Sequence, residues 1–284
     1  MNAVSMRAAV SLAWRIRPVM AVFAALGLAG MTNAACAQGQ FDARYTLSMA
    51  GISIGKLSWK ADIGAAEYSA TASGRASGIF SILISGEGVV SVRGILKDGR
   101  PQPTSYVSAV TRDDEKTGSR MTIEAGKVRD LVVEEPTPET DRVPITDAHK
   151  QNIVDPLTAF LIPAGAGDPM TAATCQRSLA VFDGRRRYDL SLSFRRIDKV
   201  KADKGYAGPA LVCAMKFNAI AGHRASSPLV KYLSEGRDME VWFVPVAGTR
   251  ALAPFKLSVA SMLGNMVLQA DQFETGPAIA AGKI

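Results

Sequence analysis

Between Phe41 and Gln269 one pattern recurs: short runs of alternating apolar and polar residues, each closed by a turn signal, usually a glycine. Tyr45, Leu47 and Met49 alternate with Arg44, Thr46 and Ser48, and Leu57, Trp59, Ala61 and Ile63 alternate with Ser58, Lys60 and Asp62. A period of two sends successive side chains to opposite faces, which suits a half-buried strand and not a helix. Further runs cover residues 67–74, 88–94, 105–110, 120–124, 127–133 and 210–217, with closing strands at 239–245, 253–259 and 265–269. Turn signals at Gly51, Asp98-Gly99 and Ala125-Gly126 separate them, residues 100–103 (Arg-Pro-Gln-Pro) read as a rigid link, and residues 199–205 as a turn. Regularly spaced strands without an internal repeat or a long linker predict one all-β, mainly antiparallel domain over residues 38–284, an open barrel or β-spiral.

One short helix is expected on that sheet. Thr146 or Asp147 can cap it, and Asp155-Pro156 marks a start or a kink; entered at Pro156 with Asp155 as N-cap, the helix would pack Leu157, Phe160 and Leu161 inward before Pro163 ends it. Residues 174–194 then read as a hairpin turning at Asp183-Gly184, a strong short-range hairpin signal. This hairpin carries Cys175 on its outward strand and Arg185, Arg186 and Arg187 on its return strand, where alternation would send the outer two arginines to one face and Arg186 to the other.

The first 37 residues belong to a different class. Arg7, Arg15 and Arg17 precede an apolar and small-residue run from Pro18 to Met31, no acidic residue occurs before Asp42, and Ala35-Cys36-Ala37 forms an A-x-A-type cleavage site ahead of Gln38. This is the layout of a bacterial secretory signal peptide over residues 1–37. Cys36 offers a second reading, a lipoprotein acylated on that cysteine, but such processing favours Leu or a similar apolar residue three positions earlier, and Asn33 stands there. No later segment is apolar enough for a transmembrane span, so the mature chain is expected in the periplasm, free or peripheral to a membrane. Without the three leader arginines, the 33 Lys and Arg against 26 Asp and Glu leave an excess of about +4 rather than +7. With no dense basic helix or basic–aromatic stripe, that charge does not describe a nucleic-acid binder.

Two cysteines remain, Cys175 and Cys213, an even pair in an oxidising compartment. A disulfide between them closes a loop of about 38 residues and would contribute about 4 kcal/mol by the chain-entropy relation. They lack the close C-x-x-C spacing of a redox pair.

No catalytic set emerges. His149 and His223 lie far apart in unrelated contexts, which leaves too few ligands for a metal, and there is no G-x-S-x-G nucleophile elbow. Ser53-Ile-Gly-Lys56 has the S-x-x-K spacing but sits in a strand-turn context without companion motifs, and residues 51–56 lack the glycine spacing and the Ser or Thr of a phosphate loop. No cofactor is implied. The candidates for ligand contact are Trp59 and Trp242, with Ile79, Phe80 and Leu83 of the apolar run between Gly78 and Gly86. That run reads either as a buried strand or core-filling turn, or as an apolar lip facing a lipid. Arg185, Arg186 and Arg187 read either as a solvated hairpin edge, which charges protect from edge-to-edge pairing, or as a contact for an anion or a partner's carboxylate.

Residues 155–159 (Asp-Pro-Leu-Thr-Ala), residues 182–186 (Phe-Asp-Gly-Arg-Arg) and a late strand at Trp242 followed by Pro254 resemble the proteobacterial envelope family catalogued as domain of unknown function 3108. The resemblance extends over nearly the whole mature chain, about residues 41–275. One departure is local: residues 245–248 (Pro-Val-Ala-Gly) stand where the family often has an acidic residue and a turn. The resemblance implies an envelope protein and no particular activity. By architecture the chain is also similar to envelope-integrity β-spirals with a stapling disulfide. The expectation is therefore a non-enzymatic protein that supports the cell envelope by binding a protein or lipid partner. The alternative is a carrier holding lipid or another hydrophobic ligand in a half-open barrel, and an enzyme comes third.

Overall fold

The computed structural model describes residues 38–77, 86–112, 115–134, 141–163, 167–236, 238–261 and 264–277. Seven strands form an antiparallel meander: β1 (Gly39–Met49), β2 (Ile52–Ile63), β3 (Glu67–Ala76), β4 (Glu87–Lys97), β5 (Arg100–Arg112), β6 (Glu115–Glu124) and β7 (Lys127–Glu134). The turns at Ala50-Gly51, Asp98-Gly99 and Ala125-Gly126 have positive φ at both residues, the left-handed pair that matches the twist of two-residue hairpins. Pro101 and Pro103, expected in a link, lie inside β5 instead, and a register shift between Arg93 and Gly94 of β4 falls beside Pro103. A bulge is one of the few places where a strand tolerates a proline that cannot donate to the ladder.

After a 3-10 turn at Asp147–Lys150 comes α1 (Pro156–Phe160), then β8 (Ile162–Pro163), α2 (Ala172–Cys175), β9 (Arg177–Phe182), β10 (Arg187–Lys201), β11 (Lys204–Gly205), β12 (Ala207–Ala221), α3 (Pro228–Ser234), β13 (Met239–Pro245), β14 (Ala251–Ser261) and β15 (Gly264–Gly276). The sheet runs β7-β6-β5-β4-β3-β2-β1-β15-β14-β13-β12-β10-β9, with β11 pairing β15 and β8 pairing β14 beside this path. It is all-β, mainly antiparallel and open. Among the described residues three short α-helices appear where one was expected. Ser227-Pro228, the same cap-then-proline arrangement as Asp155-Pro156, opens α3, and the Ser227 side chain accepts from Val230 N.

Alternation in the meander sorts the two faces of the sheet. Phe273, Ala43, Trp59, Ala72 and Val90 stand in one lateral row across β15, β1, β2, β3 and β4, and all belong to or pack against the main core. Phe41 stacks on Phe273 at 5.6 Å and meets Trp59 edge-on at 5.5 Å. Residues 241–244 of strand β13 are all apolar because both faces of the strand are covered there: Trp242 and Val244 join the Phe41 cluster, whereas Val241 and Phe243 join a second cluster with Leu190, Leu211 and Leu252. Helix α1 lies where these clusters meet, with Leu157 and Leu161 in the first and Ala159 in the second. The disulfide Cys175–Cys213 ties the end of α2 to β12 inside the second cluster, across a sequence separation of 38. Cys175 thus precedes the hairpin, which begins at Arg177.

The terminal strands of the sheet, β7 and β9, do not pair with each other. Residues 152–154 fill the seam: Ile153 N donates to Gly126 O at 2.9 Å on one side, and Val154 N donates to Ala180 O at 2.9 Å on the other. Phe182 N returns a bond to Val154 O at 3.0 Å. Tyr106, Met121, Ile123, Val128, Ile153 and Phe182 pack together beneath it, so side chains from the two ends of the sheet meet although their backbones do not.

Candidate functional site

The face opposite the main core carries a broad concavity. Gln272, Arg44, Ser58, Ser73, Val89 and Ala109 stand in register across β15, β1, β2, β3, β4 and β5, and Lys56, Arg75, Glu87 and Thr111 form the next row. These rows line a groove of about 820 Å³, with Asp203, Lys204 and Asp271 at its β15 end. Its depth follows from the floor, where serine, valine and alanine replace the long side chains usual on a solvated face. The Ser58 and Ser73 hydroxyls share a 2.8 Å hydrogen bond there, and Val89 is 48% exposed. Lys56 Nζ lies 3.2 Å from Asp271 Oδ2 and Lys204 Nζ 2.8 Å from Glu274 Oε1; the Lys204 hydrogen bond holds the Glu274 carboxyl below its usual range. The groove thus presents hydroxyl, charged and apolar surface together. Neither histidine is among its lining residues.

The second feature is the seam. Asp155 is fully buried and caps α1, its Oδ1 accepting from Leu157 N at 2.9 Å and Thr158 N at 3.1 Å. Its Oδ2 is buried without a hydrogen-bond partner among the described residues, and desolvation pushes the carboxyl up to about 6. Thr158 Oγ1 shares a 2.6 Å hydrogen bond with the Tyr68 hydroxyl. Burial drives the phenols of Tyr68, Tyr106 and Tyr188 well above the usual range, and the negative charge of Asp155 adds to the rise in each. These side chains form a polar inclusion in an apolar interior. A cavity of about 180 Å³ opens beside it, lined by Ile63, Tyr68, Leu96, Pro101 and Leu161.

The sequence candidates fall in several places. Trp59 and Trp242 are both brought into the main core, at 8% and 6% exposure. Trp242 lies beneath the Arg196 guanidinium at 5.5 Å and the Lys256 ammonium at 4.7 Å, and its indole N–H donates to Asp198 Oδ2 at 3.1 Å. That hydrogen bond is the main cause holding the Asp198 carboxyl below its usual range. Ile79, Phe80 and Leu83 lie outside the described residues.

The arginine triplet does not form a strand face. Arg185 and Arg186 belong to a four-residue turn closed by Asp183 N donating to Arg186 O at 3.2 Å, with Asp183 Oδ1 accepting from the backbone of both arginines. Side-chain capture of the turn by Asp183 overrides the two-residue geometry expected from Asp-Gly. Arg186 pairs with Asp183 at 3.6 Å and Arg187 with Asp189 at 2.7 Å. Arg185 lines a hollow of about 300 Å³ with Arg142, Lys150, Leu131 and Val133. His149 Nδ1 accepts from Thr146 N, and among the described residues no three His, Cys, Asp or Glu side chains gather in a metal-binding group.

The motifs that carried the family resemblance converge on α1, the seam and the β13–β14 pair. Asp155 to Ala159 build α1, Phe182 is buried under the seam, and Asp183 O accepts from Ser119 Oγ across it at 2.6 Å. Pro254 O accepts from the Tyr45 hydroxyl at 2.7 Å, pinning β1 to β14 through the interior. Sequence reasoning missed the groove and the isolation of Asp155. The groove had a signal, since Ser58, Ser73 and Ala109 are small residues at solvent-facing positions of successive runs.

The family described as "Protein of unknown function (DUF3108)" matches residues 41–271. No curated protein matches the sequence. Among solved structures, the β-barrel-like protein of domain of unknown function DUF1849 from Brucella abortus is similar at 10% identity and a TM-score of 0.45, over 85% of this chain and 98% of that one. A protein from Parabacteroides distasonis described as a candidate lipoprotein aligns at 10% identity and a TM-score of 0.27, over 84% and 95% of the two chains.

Proposed function

This chain belongs to the DUF3108 family of proteins of unknown function, and on that footing we propose that it is an exported, non-catalytic protein of the bacterial cell envelope that acts in the periplasm by binding a protein or lipid partner. The observation that carries this reading is the groove of about 820 Å³ across β1–β5, on the face the core leaves free. The basic, apolar and cleavable leader and the Cys175–Cys213 disulfide support export. No helix among the described residues is long and apolar enough to cross a membrane.

The packed interior favours this reading over a carrier. Phe41, Trp59, Phe255 and Phe273 fill the space that acyl chains would need, and the cavity beside Tyr68 is about 180 Å³. Pockets that enclose drug-sized ligands run from about 300 Å³ upward.

Filling the groove tests the proposal. Ala109→Trp and Val89→Arg place bulk or charge on its floor, at positions outside the core. In a deletion strain with a measured detergent or salt sensitivity, the wild type should restore growth and both variants should not, at unchanged melting temperature and abundance. Full rescue by both variants would remove the groove from the function.

A further inference from the structure

We propose that the mature protein begins with a pyroglutamate formed from Gln38. This rests on the exported reading above, because only cleavage of the Ala37–Gln38 bond makes that glutamine the first residue.

The structure supplies the second half of the argument. Gln38 is exposed, whereas its neighbour Gly39 is buried as the first residue of β1. A Cβ on Gly39 would stand 2.2 Å from Ala247 O, and one on Gly248 would stand 2.4 Å from Gln38 O. The backbone from the Gln38 carbonyl onward is thus seated against the turn between β13 and β14. The Gln38 nitrogen and side chain lie on the other side of that anchor, and no described residue hydrogen-bonds to either. An α-amine of ordinary pKa, about 7.7–8.0, is in part neutral and nucleophilic near neutral pH.

The chemistry then needs no other reactant. The α-nitrogen attacks Cδ of its own side-chain amide, the N–Cδ bond forms, the Cδ–Nε2 bond breaks, and ammonia leaves with the proton released from the α-nitrogen. The product is a five-membered lactam. Attack within one residue has the advantage of proximity that intramolecular reactions enjoy. The lactam removes one positive charge and blocks aminopeptidases. That matters here because the next residues belong to β1, which pairs on both sides, Gln40 facing Asp62 and Gly276.

The test is the intact mass of the full-length precursor expressed with its own leader and purified from the periplasm, read with and without pyroglutamyl aminopeptidase. The expected species is residues 38–284 with one disulfide, lighter by one ammonia, which the peptidase shortens to start at Gly39. Gln38→Ala should keep a free amine that accepts an amine-specific label, at unchanged melting temperature. Residues 38–284 at full mass with a labelled amine would overturn the proposal while leaving export in place. A chain beginning elsewhere, or one carrying acyl groups on Cys36, would overturn it by removing its premise.

Discussion

Ser119 Oγ donates a 2.6 Å hydrogen bond to the carbonyl oxygen of Asp183, and the two residues belong to opposite ends of the sheet. Ser119 lies on β6, beside the terminal strand β7, whereas Asp183 begins the turn between β10 and the other terminal strand, β9. Gly184 brings them together. Its φ is +89°, and a Cβ there would fall 2.5 Å from Ser119 Cβ.

The seam should therefore be the most substitution-sensitive contact outside the core. Ser119→Ala should lower stability by about 1 kcal/mol, the usual net worth of one hydrogen bond. Gly184→Ala should cost more, about 2–3 kcal/mol, because left-handed strain and overpacking add. Urea denaturation of the two variants checks the order.

Cys213→Ser should lose about 4 kcal/mol through the denatured chain's regained freedom over 38 residues. The same loss should follow reduction of the wild type, and the reduced wild type should unfold at nearly the midpoint of the variant. A midpoint unaffected by reduction would show that the packing around Cys175 holds α2 on β12 without the bond.

Asp155 gives a pH signature of definite sign. Its carboxyl is raised to about 6 in the folded protein, against about 3.9 for a free aspartate. A raised folded value means that the unfolded chain releases the proton first. Its contribution to stability is fully present below about pH 4 and is lost as pH rises through about 6, an effect on the order of 3 kcal/mol. Asp155→Asn keeps an N-cap but cannot ionise. The stability difference between Asp155→Asn and the wild type should shift in favour of the variant across that window and level off above it, as denaturation at a series of pH values would show.

Gly94 is required for a different reason from Gly184. Its backbone is ordinary, but an added Cβ would lie 2.3 Å from Gln102 O and 2.4 Å from Tyr68 Cε1. Gly94→Ala should displace the Tyr68 ring and lengthen its hydrogen bond to Thr158, at a cost of about 1–3 kcal/mol. If Tyr68→Phe is made first, the cost of Gly94→Ala should fall little, because the clash is with the ring and not the hydroxyl; a double-mutant cycle measures this.

The strand succession was legible from Tyr45 onward because alternation records which face is buried, and that pattern survives in a single sequence. The cap Asp155, the proline after it and the cysteine pair were legible for similar local reasons. What decided the remainder was contact between distant parts. Nothing near Asp183 announces that its carbonyl will meet Ser119, so the turn looked like a free hairpin tip and its arginines like an offered surface. Asp155 reads as a cap, but only the burial of α1 against β3, β5 and β9 leaves its second oxygen without a partner. The groove escaped notice because its residues are ordinary one at a time. Ser58, Ser73, Val89 and Ala109 become a floor only through the register of four strands.

The place of β1 between β2 and β15 has a kinetic consequence. The first strand of the sheet finds its second partner only when the last strand exists, with Gln40 facing Gly276 and Met49 facing Met266. A chain emerging N-terminus first can assemble β1 to β7 as local hairpins, but one flank of β1 must wait unpaired until almost the entire polypeptide has been delivered. Loop closure on that scale costs chain entropy before the pairing of β1 with β15 can repay it. During this interval the protein presents a long open strand to any other unfinished copy.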